Sequence, residues 1–230
     1  MTDHPPEPWD LRGQMHTAVF LVPVAAFPPG ELDELPPGWS LTTVRGQAVV
    51  GAAWVVYEPG GVLSYRELMA TVLVRRGWRL APHIVRIWVD SEASLAGGRA
   101  LWAIPKELAE FEIDRAGRST RFAARTAAEP IAVTGVARGL RLPGRWPLAF
   151  TVVQRAVAVG GRATARISPV RARGGVALTR SRWIAEPFGP LGFLAGRRAL
   201  LTVSLRDFVM QFGSAAASPA AQRHASATVS

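Results

Sequence analysis

The apolar residues of this chain come in short runs, and almost every run ends at a glycine or a proline. Residues 17–26 (TAVFLVPVAA) read as a strand bent at Pro23, and residues 47–57 (QAVVGAAWVVY) as a second, closed by the turn Glu58-Pro59-Gly60-Gly61. Residues 68–74 and 84–89 are rich in β-branched side chains and bounded by breakers. The segments 112–114 and 119–125 flank the turn Arg115-Ala116-Gly117-Arg118. Further runs occupy 131–136, 149–159, 163–170 and 177–184, with turn signals at Gly160-Gly161 and Gly174-Gly175. Such a hairpin series predicts an antiparallel sheet or barrel. Helical signals are few: 31–35 between proline pairs, 105–111 with a proline at its first position, and 205–212. The expected class is α+β with strands in the majority.

The chain has 230 residues, enough for one domain with a real core. Residues 1–8 are polar and proline-rich and read as a flexible arm, residues 9–212 as the domain, and residues 213–230 as a disordered tail. The absence of cysteine excludes disulfides, thiolate nucleophiles and cysteine metal sites. His4, His16, His83 and His224 are never spaced as zinc ligands, so no metal is expected. No apolar run is long enough for a membrane-spanning helix, and residues 1–8 do not read as a signal peptide. A cytoplasmic protein that does not engage membranes is therefore expected.

The formal charge of +10 raises the question of nucleic acid. The arginines are scattered, never more than two together, and form no basic block. They read as solvated faces, and no nucleic-acid partner is expected. One basic residue stands apart. Of 27 basic side chains 26 are arginines, and the single lysine is Lys106. A guanidinium stays protonated and forms no imine, whereas a lysine amine can. On composition alone Lys106 reads as a surface lysine near a helix start. Its neighbours Trp102, Ile104, Pro105 and Leu108 are apolar, and desolvation disfavours an ammonium. Ser64-Tyr65-Arg66-Glu67 has the spacing of a helix capping box, although the run behind it suits a strand equally well.

Tyr65-x-Glu67, Ile87-Trp88-Val89-Asp90, Gly98-Arg99 and Ile104-Pro105-Lys106 together resemble the acetoacetate decarboxylase family in order and spacing, over about residues 47–110. The resemblance implies a cone-shaped, largely antiparallel β-barrel around a small apolar cavity, in a homo-oligomer and with no cofactor. It implies that Lys106 forms a Schiff base with a keto acid, that decarboxylation follows, and that Glu67 positions substrate or relays a proton. Tyr65, Arg99, Trp102 and Trp54 fall in the matched segments as substrate-binding candidates. Aldolase or dehydratase chemistry on the same imine, or ligand binding without turnover, are the alternatives.

Three departures accompany the resemblance. Glu107 stands where the family usually carries a second lysine. A carboxylate expected on the preceding strand falls near Gly51-Ala52-Ala53. The family's substrate-binding arginine falls near His16-Thr17-Ala18, with Arg12 and His16 as candidate replacements.

Overall fold

Alternating burial along long strands, rather than any helical stripe, organises the molecule. A computed structural model describes residues 3–158 and 160–214. The strands are β1 (Trp9–Pro23), β2 (Ser40–Leu41), β3 (Thr43–Val44), β4 (Gln47–Tyr57), β5 (Tyr65–Arg76), β6 (Arg79–Val89), β7 (Lys106–Leu108), β8 (Glu110–Ala116), β9 (Ser119–Arg125), β10 (Pro130–Arg141), β11 (Trp146–Val157), β12 (Ala163–Ala185) and β13 (Leu201–Phe212). The one α-helix among the described residues, α1 (Glu92–Trp102), follows β6.

The hydrogen-bonded order is β7-β6-β5-β4-β1-β13-β12-β10-β9-β8, antiparallel except for the parallel pair β6–β7. β12 divides the sheet. Its first half pairs with β11 and its second half with β10, while β13 runs along its other edge. β11 curls back toward β6, and the ring β6-β5-β4-β1-β13-β12-β11 surrounds a cavity. The seam between β11 and β6 has no backbone ladder. His83 Nδ1–H donates to the Val153 carbonyl at 3.0 Å, and Gln154 Nε2 donates to the Ile84 carbonyl at 3.3 Å. The strand-rich, cone-like architecture is thus present as a large mixed sheet that does not close.

The middle parts of β1, β4 and β5 are covered on both faces. Met15 and Thr17, Gly51 and Ala53, and Glu67, Met69 and Thr71 face the cavity. Ala18, Phe20, Ala52, Trp54, Leu68 and Ala70 face a second core, which β8–β10 cover with Phe111, Phe122 and Ile131. This period-2 partition follows from strand geometry, in which successive side chains point to opposite faces.

Several local expectations are corrected. Residues 205–212 form part of β13, whose backbone is used by β1 on one edge and β12 on the other. Pairing on both edges overrides the helical pattern. Residues 105–111 form β7 and the start of β8, and 31–35 form turns. Gly174-Gly175 makes a bulge within β12 rather than ending a strand. The helix that does form, EASLAGGRALW, contains a glycine pair that reads as a breaker in sequence. Within the N-terminal segment, Glu7 accepts from Trp102 Nε1 at 2.8 Å and pairs with Arg166 at 3.0 Å. Of the expected tail, residues 215–230 lie outside the described residues.

Candidate active site

Two adjoining elements place the lysine. Ser91 caps α1 by accepting from Ser94 N–H at 3.2 Å, and Ala103 ends the helix in the left-handed conformation. The chain then turns through Ile104-Pro105 into β7, where Ile87 pairs with Lys106 and Trp88 with Glu107. Alternation along β7 sends Lys106 inward and Glu107 outward. Glu107 accepts from Trp88 Nε1 at 3.1 Å, on the face away from the cavity, and Arg99 Nε donates to the Lys106 carbonyl at 2.9 Å.

The helix glycines make room for this arrangement. A Cβ at Gly98 would lie 2.6 Å from Lys106 Cδ and 2.8 Å from Cε, and one at Gly97 would lie 2.4 Å from the Trp9 ring. The lysine stem and Trp9 therefore rest directly on the helix backbone. Gly98→Ala should displace Lys106 and lower the rate of reductive trapping of a keto acid at this residue by at least about tenfold. The intrinsic gain in helix propensity, about 1 kcal/mol, works in the opposite direction on stability, so a denaturant melt beside the trapping assay separates the two effects.

The cavity measures about 280 Å3. Lys106 and Glu67 are each 3% exposed and are the only charged residues among the described residues of its lining. Lys106 Nζ donates to Glu67 Oε2 at 3.0 Å, to Ser94 Oγ at 2.8 Å and to Tyr65 OH at 3.4 Å. Tyr57 OH donates to the other Glu67 oxygen at 3.3 Å. Nζ also lies 5.0 Å from the Tyr65 ring centre, within cation–π range. Burial opposes the lysine's charge, but the Glu67 carboxylate and the Tyr65 hydroxyl outweigh it and hold the amine above the usual lysine value. Burial also pushes Tyr65 up to about 12 and Tyr57 well above the ordinary tyrosine value. Both hydroxyls thus keep their protons near neutral pH, and Tyr57 serves as a donor to Glu67. The resting site is a buried ammonium–carboxylate pair with three hydroxyls around it.

Of the residues singled out in sequence, Lys106, Glu67, Tyr65 and Trp102 come together on the cavity wall. Arg99 does not line the cavity, although it fixes the backbone of Lys106. Trp54 faces the second core, where it stacks on Phe122 at 5.4 Å and donates to Thr134 at 2.9 Å. Tyr57, Ser94 and Trp9 were not anticipated. Tyr57 shares a strand face with Ala53 and pairs directly with Tyr65, while Ser94 and Gly98 share one face of α1. Recognising that helix is the step that would have found Ser94. No group of three or more metal-ligating side chains occurs among the described residues.

Residues 5–143 match the sequence profile of acetoacetate decarboxylase. The chain belongs to the acetoacetate decarboxylase family. Acetoacetate decarboxylase from Legionella pneumophila is 16% identical, with a TM-score of 0.69 over 92% of this chain and 86% of that one. The enduracididine biosynthesis enzyme MppR is 14% identical, with a TM-score of 0.69 over 92% and 88%. An acetoacetate decarboxylase-like enzyme from Sphingomonas wittichii RW1 is 17% identical, with a TM-score of 0.61 over 92% of both chains. These likenesses show the shared fold. No curated protein matches the chain.

Within the family frame, the three departures resolve structurally. Glu107 points away from the cavity, so Glu67 is the carboxylate that raises Lys106. Gly51 and Ala53 both face the cavity, so the expected second acid is replaced by a hydrogen and a methyl group. Neither candidate arginine substitute faces inward. Arg12 lies over Gly60 in an outer groove, and Thr17 occupies the inward position beside His16. His16 faces the opposite side, with Nδ1 2.7 Å from Ser204 Oγ, in a second pocket lined by Arg115, Arg138 and Arg206.

Burial and then the nearby Arg115 lower His16 to about 4. Its folded value lies below the unfolded one, so its contribution is present above about pH 6.5 and is lost as pH falls toward 4. Equilibrium unfolding should show up to about 3 kcal/mol lost across that window, and His16→Gln should flatten the loss.

Proposed function

We propose that this protein is a Schiff-base lyase in which Lys106 Nζ condenses with a small keto acid, with decarboxylation as the reaction. The observation that carries the proposal is the burial of the chain's single lysine in an apolar cavity, 3.0 Å from one carboxylate.

The resting ammonium is not a nucleophile, so the proton on Lys106 moves to Glu67 along their existing hydrogen bond as substrate enters. The free amine attacks the carbonyl carbon, and one of its protons passes to the carbonyl oxygen to form the hydroxyl of a carbinolamine. Glu67 returns its proton to the departing hydroxyl, which leaves as water, and a protonated imine remains. In a β-keto acid the electron pair of the carbon–carbon bond to the carboxylate then flows to the iminium nitrogen, and CO2 leaves. The resulting enamine takes a proton on carbon, and water releases the ketone and restores Lys106. Ser94 and Tyr65 hold the nitrogen throughout, and Tyr57 holds Glu67. Departure of CO2 removes a charge from an enclosure whose wall holds no arginine.

A second reading is aldol condensation through the same enamine. One structure of MppR contains the condensation product of pyruvate and imidazole 4-carboxaldehyde, at 16% identity to this chain.

Borohydride trapping with α- and β-keto acids, read by peptide mass, tests the imine. The expected result is a reduced adduct on Lys106, and no adduct across the panel in folded protein would sink the proposal. CO2 release from a β-keto acid supports decarboxylation. Turnover that requires an added aldehyde supports the aldol reading instead.

A further inference from the structure

The cavity strands carry many arginines, and all of those with an assigned position lie outside. On β5, Arg66 pairs with Asp90 at 3.0 Å; on β6, Arg86 forms a two-point pair with Glu31. On β11, Arg155 lies 3.8 Å from Glu34, and on β13 Arg206 lies 3.8 Å from Asp207. On β1 and β12, Arg12, Arg171 and Arg173 line an outer groove. Although the chain has 26 arginines, none of those among the described residues lies on the wall of the lysine cavity.

Apart from Lys106 and Glu67, the wall is uncharged among the described residues. It is built from Met15 and Thr17 of β1, Met69 of β5, Ile84 of β6, and Phe150 and Val152 of β11. Its hydroxyls are few, and Thr71 already donates to the Gly51 carbonyl at 3.2 Å. A charged group carried there would lose its water and meet no counter-ion, which strongly disfavours it. An alkyl or aryl group would instead exchange water for apolar contact.

From this distribution we infer that the substrate is a 3-oxo acid with an apolar body, an alkyl or aryl group larger than methyl on the carbonyl, rather than acetoacetate or a dicarboxylate. The inference rests on the Schiff-base reading above and specifies its substrate class. Lys106 and Glu67 handle the carbonyl and the carboxylate beside it. The body lies against the uncharged remainder of the wall. The balanced reaction converts a 3-oxo acid anion and a proton into a methyl ketone and CO2.

The test is a trapping series on the full chain with acetoacetate, 3-oxohexanoate, 3-oxooctanoate and 3-oxoglutarate. Half-maximal trapping should need about fourfold less compound for each methylene added until the cavity is full. 3-Oxoglutarate should need at least about a hundredfold more than 3-oxooctanoate. Equal trapping of acetoacetate and 3-oxooctanoate, or better trapping of 3-oxoglutarate, would overturn the apolar body while leaving the imine intact. If nothing is trapped, the imine fails, and protection against thermal unfolding by the matching methyl ketones, 2-pentanone and 2-heptanone against acetone, decides the apolar body by itself. Thr17→Arg, which brings a guanidinium to the cavity wall, should narrow the gap between 3-oxoglutarate and 3-oxooctanoate. If that variant does not fold, the native series still decides.

Discussion

Lys106→Met should abolish reductive trapping at this position and lower keto-acid turnover on the order of ten-thousandfold or more, because no other side chain in the cavity can form an imine. It should also destabilise the fold. Methionine fills the channel over Gly98 but leaves the Glu67 carboxylate buried without its cation, and breaking one side of such a pair costs about 3–5 kcal/mol. The double variant Lys106→Met/Glu67→Gln separates the two consequences. Removing both charges should recover much of the stability, and none of the chemistry. Intact-mass trapping and urea unfolding on the same preparations check both arms. A double variant as unstable as the single one would mean that Glu67 depends on Tyr57 rather than on Lys106.

Glu67→Gln should lower turnover about a hundredfold to a thousandfold, the usual range for losing a general acid–base group, while making the amine easier to deprotonate. In the native site Glu67 and Tyr65 together overcome the effect of burial and raise Lys106. With the carboxylate gone, burial is the dominant remaining influence and lowers it. The pH midpoint for trapping should therefore move down in the variant, even as complete turnover slows. The stability profile changes sign in step. A raised folded value stabilises below the unfolded lysine value and is lost as pH rises past it. A lowered folded value makes stability fall as pH drops below the unfolded value. Trapping rates from neutral to alkaline pH, with unfolding measured across the same range, distinguish this from a structural role for Glu67, which would leave the trapping midpoint in place.

The sequence was most legible where one residue type had a single chemical use. A lone lysine among arginines made Lys106 stand out while still reading as a surface residue, and the resemblance to the acetoacetate decarboxylase family set Glu67 and Tyr65 beside it. β4 was readable to its ends because an apolar run stops at a proline–glycine turn. The failures share a cause: features set by partners distant in sequence. β13 has helical composition but sits between two strands. α1 contains a glycine pair whose purpose, close packing of Trp9 and Lys106, appears only once both lie on it. Trp54 is in the right segment but on the wrong face, because one step along a strand reverses a side chain's direction. The same step sends Glu107 out to Trp88, so adjacency to Lys106 said nothing about its electrostatics.

The unladdered line between β6 and β11 gives the enclosure an uneven mechanical profile. Parting any other neighbours in the seven-strand ring tears a row of main-chain bonds, whereas parting these two releases only the bonds from His83 and Gln154 described above. Fluctuations that widen the ring therefore concentrate along this line, which runs beside β6 on the edge that also carries β7 and Lys106. An opening along this line lies next to the lysine rather than across the cavity from it.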